Sequence, residues 1–143
     1  MAEHEALVRL AVERVAKSSL ALPEAYEEDA WIGVRWRIRK RTFAHVVPVV
    51  GSSPAFERAV RGPGPYVVLT FRSSGDELDT LTRIGDPFYK LPWSPTAVGM
   101  YLTEATDWNE VGELVTESYC MLAPKKLADR VRRPPEPDAA TPR

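Results

Sequence analysis

The chain has 143 residues, 44% of them hydrophobic and 27% charged, with a formal net charge of −1, a composition that fits one soluble globular domain and argues against a disordered or fibrous chain. No stretch approaches the roughly eighteen apolar residues of a membrane span, and the opening MAEHEALVRLAVERVAK carries charges throughout, unlike a signal peptide or a transit segment, so a cytoplasmic location is predicted. One cysteine, Cys120, and two histidines, His4 and His45, leave no intrachain disulfide and no Cys/His zinc site from a single copy.

Helical spacing of Val8, Val12, Val15 and Ser19, widened by Leu7, Leu10 and Ala11, predicts a first helix from Glu3 to Leu20 that ends at Leu22-Pro23. Glu24 to Asp29 reads as a short acidic connection with one helical turn begun by Pro23. From Trp31 the period becomes two: Ile32, Val34, Trp36 and Ile38 alternate with Gly33, Arg35, Arg37 and Arg39, which predicts a half-buried strand. A turn at Lys40-Arg41 and a returning strand from Thr42 to Val47 complete a hairpin, closed by Pro48 and the Gly51–Pro54 cluster.

A helical turn at Phe56 to Val60, stopped by Gly62-Pro63-Gly64-Pro65, precedes a strand at Tyr66 to Phe71. Asp76 to Ile84 fits a short helix ended by Gly85, Asp86 to Pro95 reads as irregular, and Val98 to Thr103 as the last strand. Asp107 and Glu110 have capping-box spacing before a helix whose face carries Trp108, Val111, Leu114, Val115, Ser118, Tyr119 and Leu122. Cys120 on this helix reads as a small buried hydrophobe rather than a nucleophile. Pro124 breaks the helix and begins another, Lys125 to Arg132, before the Pro-rich tail 134–143, expected to be disordered. The order predicts a single α+β domain over residues 1–133, an antiparallel sheet backed by N- and C-terminal helices.

Charge is segregated along the chain. Residues 1–34 hold three basic and seven acidic residues, 35–72 eight and one, 73–117 two and nine, and 118–143 six and three. The sharpest concentration is RWRIRKRTF, in which Arg35, Arg37 and Arg39 share one flank of the predicted strand and Lys40 and Arg41 extend it around the tip. Cations two residues apart on a strand stand about 6.5–7 Å from each other, close to the spacing of successive phosphates on one DNA strand. No Asn or Gln lies in this stretch to read base edges, so it predicts phosphate contacts without sequence readout. The other reading of the same residues is a solvated edge that resists aggregation, neutralised by the acids at 24–29 or 76–79.

Leu22-Pro23-Glu24-Ala25 followed by acids, a Trp, a hairpin with a basic tip, Asp107-Trp108, Glu117-Ser118-Tyr119 and Ala123-Pro124-Lys125-Lys126 together resemble the MmcQ/YjbR family over residues 3–132. DWNEVGELVTESYCMLAPKKL is the more specific part. The resemblance implies a small bacterial protein with a frataxin (CyaY-like) α+β fold and DNA binding through a double-wing arrangement of hairpins. Family members commonly turn the first hairpin through Gly-Gly-Lys, where this chain has Arg39-Lys40-Arg41.

The leading functional expectation is therefore a non-enzymatic DNA-binding protein using Arg35, Arg37, Arg39, Lys40 and Arg41, with Lys125 and Lys126 beside them. Lys125, Lys126, Arg130, Arg132 and Arg133 form a second basic cluster; three of them sit near a helix C-terminus, where cations offset the helix dipole without any ligand. Trp31 and Trp93 adjoin irregular segments and are candidates for base stacking, whereas Trp36 and Trp108 lie in apolar phase and belong to the core. Ser118-Tyr119 is expected to lock its helix onto the sheet through the phenol hydroxyl, and Pro124 to set the helix break. Glu24, Glu27, Glu28 and Asp29 invite comparison with the acidic, iron-binding ridge of frataxins, but their spacing is no ligand set, and neither metal nor cofactor is expected. The alternative is a protein-interaction or small-ligand module with no nucleic-acid role, marked by a concave apolar pocket near Trp93 or Tyr89 or by a self-complementary exposed patch. An enzyme ranks third, because groups able to act as acid, base or nucleophile occur singly.

Overall fold

The computed structural model describes residues 2–50 and 65–131. The predicted turn at Phe56 to Val60, the break at Gly62 to Gly64, Arg132, Arg133 and the tail 134–143 lie outside them. Helices α1 (Ala2–Ser19), α2 (Gly75–Ile84), α3 (Trp108–Leu122) and α4 (Lys125–Arg130) accompany six strands. The strands are β1 (Tyr26–Asp29), β2 (Val34–Ile38), β3 (Arg41–Val49), β4 (Tyr66–Arg72), β5 (Phe88–Lys90) and β6 (Ala97–Leu102). They form one sheet in the order β1-β2-β3-β4-β6-β5, every neighbouring pair antiparallel. The α+β class read from the sequence is the one observed.

Alternation explains the layering. Trp36 and Ile38 of β2, Val46 of β3, Val67, Leu69 and Phe71 of β4 and Val98, Met100 and Leu102 of β6 turn to one side, where they pack with Ala11 and Val15 of α1 and Val111, Val115 and Tyr119 of α3. Trp36 is fully buried, and truncating such a side chain to Ala costs about 3–5 kcal/mol. The opposite face carries a smaller apolar cluster, Val47, Val49, Val68 and Tyr101 with Tyr66 and Tyr89. It also carries a continuous row of register partners, Glu28, Arg35, His45, Thr70, Gly99 and Tyr89, one from each strand in sheet order. No helix among the described residues is long and apolar enough to cross a membrane.

Four local expectations are corrected. The acidic segment before Trp31 contains no helical turn; Tyr26–Asp29 pairs with β2 as an edge strand, because Glu28 faces Arg35 and Arg37 while Glu27 accepts the buried Trp36 indole N–H at 3.0 Å. The hairpin turns one residue earlier than predicted: Ile38 pairs with Arg41, and Arg39 takes a positive φ of 58°. Pro48 does not close β3, which continues to Val49; β2 begins opposite Val46, so beyond that point β3 is paired on β4 alone, where a proline is tolerated. The segment Asp86–Pro95 holds β5, whose Phe88 enters the core; three residues are too few for a periodicity to show.

The C-terminal elements follow the sequence closely. The Asp107 carboxylate accepts from the Asn109 and Glu110 amides at 3.0 and 3.2 Å, offsetting two of the unpaired donors at the start of α3. Pro124 stands at the junction to α4.

Candidate functional site

Past the pair Ala44 and Phe71, β3 and β4 part. β3 carries a bulge there: Trp36 pairs with Ala44 and Arg37 with Thr42, leaving Phe43 as the extra residue. The next pair in the β3–β4 ladder would be Phe43 and Arg72, and the Ser118 hydroxyl of α3 stands between them. It accepts from the Arg72 amide at 2.9 Å and donates to the Phe43 carbonyl at 2.7 Å. One fully buried side chain thus satisfies both backbone groups that the bulge leaves without ladder partners. The predicted anchoring of α3 on the sheet therefore falls to the serine. Tyr119, one position around the helix, donates its hydroxyl to the Pro23 carbonyl at 2.6 Å and ties α3 to the α1–β1 connection instead.

Where the strands part, a groove of about 370 Å³ opens on the face turned away from the core. Arg35 and Arg37 of β2 form one wall, and Lys40, Arg41 and Thr42 of the hairpin tip close one end. His45, Thr70 and Arg72 contribute from the central strands, Leu122 from the end of α3 and Trp93 from the β5–β6 connection. Trp93 is held in place from two sides. Arg72 lies 5.4 Å from its ring centroid and bonds Thr96 Oγ1 at 2.9 Å. Lys90 Nζ donates to the carbonyls of Ser94, Pro95 and Ala97 at 2.9, 2.8 and 3.4 Å, gathering the loop around one ammonium.

The charge balance of the groove is one-sided. Among the described residues five cations line it, and the only carboxylate bonded to any of them is Glu28. Its Oε1 receives Arg35 Nη2 at 2.6 Å, Arg35 Nε at 2.7 Å and Arg37 Nη1 at 3.4 Å. The Arg35 hydrogen bond, reinforced by both guanidinium charges, holds the Glu28 carboxyl below its usual range. Arg37 also donates to the Lys40 carbonyl at 2.6 Å, and Arg41 reaches the Leu122 carbonyl at 3.4 Å. His45 Nε2 lies 2.7 Å from the Ile32 carbonyl; a carbonyl only accepts, so this nitrogen carries the proton. Burial pushes the His45 pKa down, against that hydrogen bond, and leaves the ring neutral at pH 7.

Of the residues singled out in the sequence, Arg35, Arg37, Lys40, Arg41 and Trp93 come together here. Arg39 does not: the two-residue turn breaks the alternation, and its guanidinium pairs with Glu24 at 3.1 Å. Lys125 pairs with Asp129 at 3.0 Å, and neither it nor Lys126 lines the groove. Trp31 is 98% exposed at the β1–β2 tip and does not line the groove. Trp108 packs against the core beside Arg14. Arg72, Thr42, His45 and Thr70 escaped the sequence reading, since only strand order and register across the sheet reveal their company. The pocket beside Trp93 is cationic rather than apolar, unlike the one expected for a small-ligand module. No cluster of three or more His, Cys, Asp or Glu side chains suited to a metal occurs among the described residues.

The sequence model of the family described as YjbR matches residues 20–121 of the 143-residue chain. No curated protein and no solved structure matches it. The matched span runs from the end of α1 through the groove-bearing strands to the Ser118-Tyr119 pair of α3, and with that extent of agreement the chain belongs to the MmcQ/YjbR family.

Proposed function

We propose that this protein is a non-enzymatic DNA-binding protein that holds backbone phosphates in the groove between the basic hairpin and the β5–β6 connection. The observation that carries the proposal is the gathering of Arg35, Arg37, Lys40, Arg41 and Arg72 in one concavity with Glu28 as their single bonded carboxylate among the described residues. Guanidinium groups present planar forks suited to phosphate oxygens, and Glu28 already occupies two of them as a carboxylate would. Among the described residues no Asn or Gln lines the groove, so binding is dominated by the backbone and independent of sequence. Non-enzymatic character fits the lining as well, because His45, its one histidine among the described residues, commits Nε2 to the Ile32 carbonyl.

The test is the salt dependence of DNA affinity. Each neutralised phosphate contributes about 0.9 to the slope of log affinity against log salt, so the double variant Lys40→Ala, Arg41→Ala lowers that slope by about 1.8. Both side chains are exposed, and their loss leaves the core intact. An unchanged slope in that variant, or tight binding indifferent to salt, refutes the proposal. A small anionic ligand is the second reading, favoured by the concavity beside Trp93; it predicts that a mononucleotide saturates the groove and competes fully with DNA.

A further inference from the structure

We infer that the groove is built for single-stranded nucleic acid, with one unpaired base laid on Trp93; this rests on the phosphate-binding reading above and adds to it which form of nucleic acid is taken. Three observations converge. First, the arginines are recessed: the Arg37 side chain is 20% exposed and that of Arg35 34%. A partner must send its backbone into the concavity to reach them, and a duplex offers a broad convex surface that meets only the exposed tip residues. Second, about 370 Å³ lies at the small end of the roughly 300–1,000 Å³ spanned by ligand sites, the scale of one nucleotide unit. Third, Trp93 stays 55% exposed although Arg72 lies over its ring, and the Lys90 and Thr96 contacts hold that loop in place without it.

An exposed indole beside a cationic track is the arrangement by which sheet surfaces hold single strands: phosphates follow the cations while a base stacks on the ring. In a duplex the bases are already paired and stacked, so the ring has no partner there. The Arg72 guanidinium against one face of Trp93 orients the ring and supplies a charge for the adjoining phosphate.

The experiment uses the full chain and fluorescence anisotropy at about 50 mM salt with three probes of equal length: a single-stranded 12-mer, its duplex, and an abasic 12-mer with the same phosphates. The single strand is expected to bind at least about tenfold more tightly than the duplex. Trp93→Ala is expected to weaken the single strand about tenfold while leaving the abasic strand unchanged, and Trp93→Phe to retain most of the affinity. Equal or tighter duplex binding, or an equal loss on the abasic and base-bearing strands, overturns the inference while the phosphate reading stands. Absence of binding to all three probes overturns both.

Discussion

Replacing Ser118 by Ala removes a hydroxyl that joins three elements at the point where β3 and β4 part. The bond to the Phe43 carbonyl is buried and that to the Arg72 amide partly buried, at 2.7 and 2.9 Å. Alanine fills neither role, and an orphaned buried donor or acceptor costs about 1–3 kcal/mol; with the second group partly reachable by water, the sum is about 2–4 kcal/mol. At a urea dependence of about 2 kcal/mol per molar, the middle of the usual range, the unfolding midpoint falls by roughly 1–2 M. Thr116→Ala is the control: that hydroxyl lies on the same helix but donates to the Gly112 carbonyl of its own turn at 2.8 Å, and its loss costs about 1 kcal/mol or less. Equilibrium urea unfolding of both variants decides the matter. If Ser118→Ala is no more destabilising than Thr116→Ala, the hydroxyl is not what bridges the bulge.

Glu28→Gln frees Arg35 and Arg37 from their carboxylate, and affinity for an oligonucleotide rises about two- to fivefold, the scale of one surface ion pair; weaker binding in titrations would make Glu28 a positioning group instead. Because burial lowers the His45 pKa in the folded chain, the unfolded chain binds more protons just below 6.5, so His45 subtracts stability as pH falls from 6.5 through its lowered folded value. Urea midpoints at pH 7 and 5 read this, and His45→Gln reduces the difference between them; an undiminished difference contradicts the assignment. Lys90→Ala removes the ammonium shared by three carbonyls, so amide exchange across Leu91–Ala97 accelerates at least about tenfold, whereas unchanged protection would show that the loop holds itself.

The sequence announced elements wherever periodicity and punctuation agreed. The alternation of Val34, Trp36 and Ile38 and the Asp107-to-Pro124 helix were readable for that reason. The strand at Tyr26–Asp29 was not, because its composition is that of a solvated loop; it becomes a strand only through what β2 offers it, two arginines on one face and an indole N–H on the other. The basic hairpin was legible as charge, yet its division was hidden in the turn, where the positive φ of Arg39 sends that side chain to Glu24 and out of the groove. Arg72 was invisible for another reason. An arginine at the end of an apolar strand carries no local signal, and strand order alone brings it beside Thr96 and Trp93.

The most direct test of the central claim is an NMR titration that follows backbone amides and arginine Nε–H signals as an oligonucleotide is added. Shifts concentrated at Arg35, Arg37, Arg41, Thr42, Thr70 and Arg72, with the α4 amides from Lys125 to Arg130 unmoved, are the predicted result. Shifts centred on α4 or on the Trp31 tip, with the groove signals silent, would contradict it.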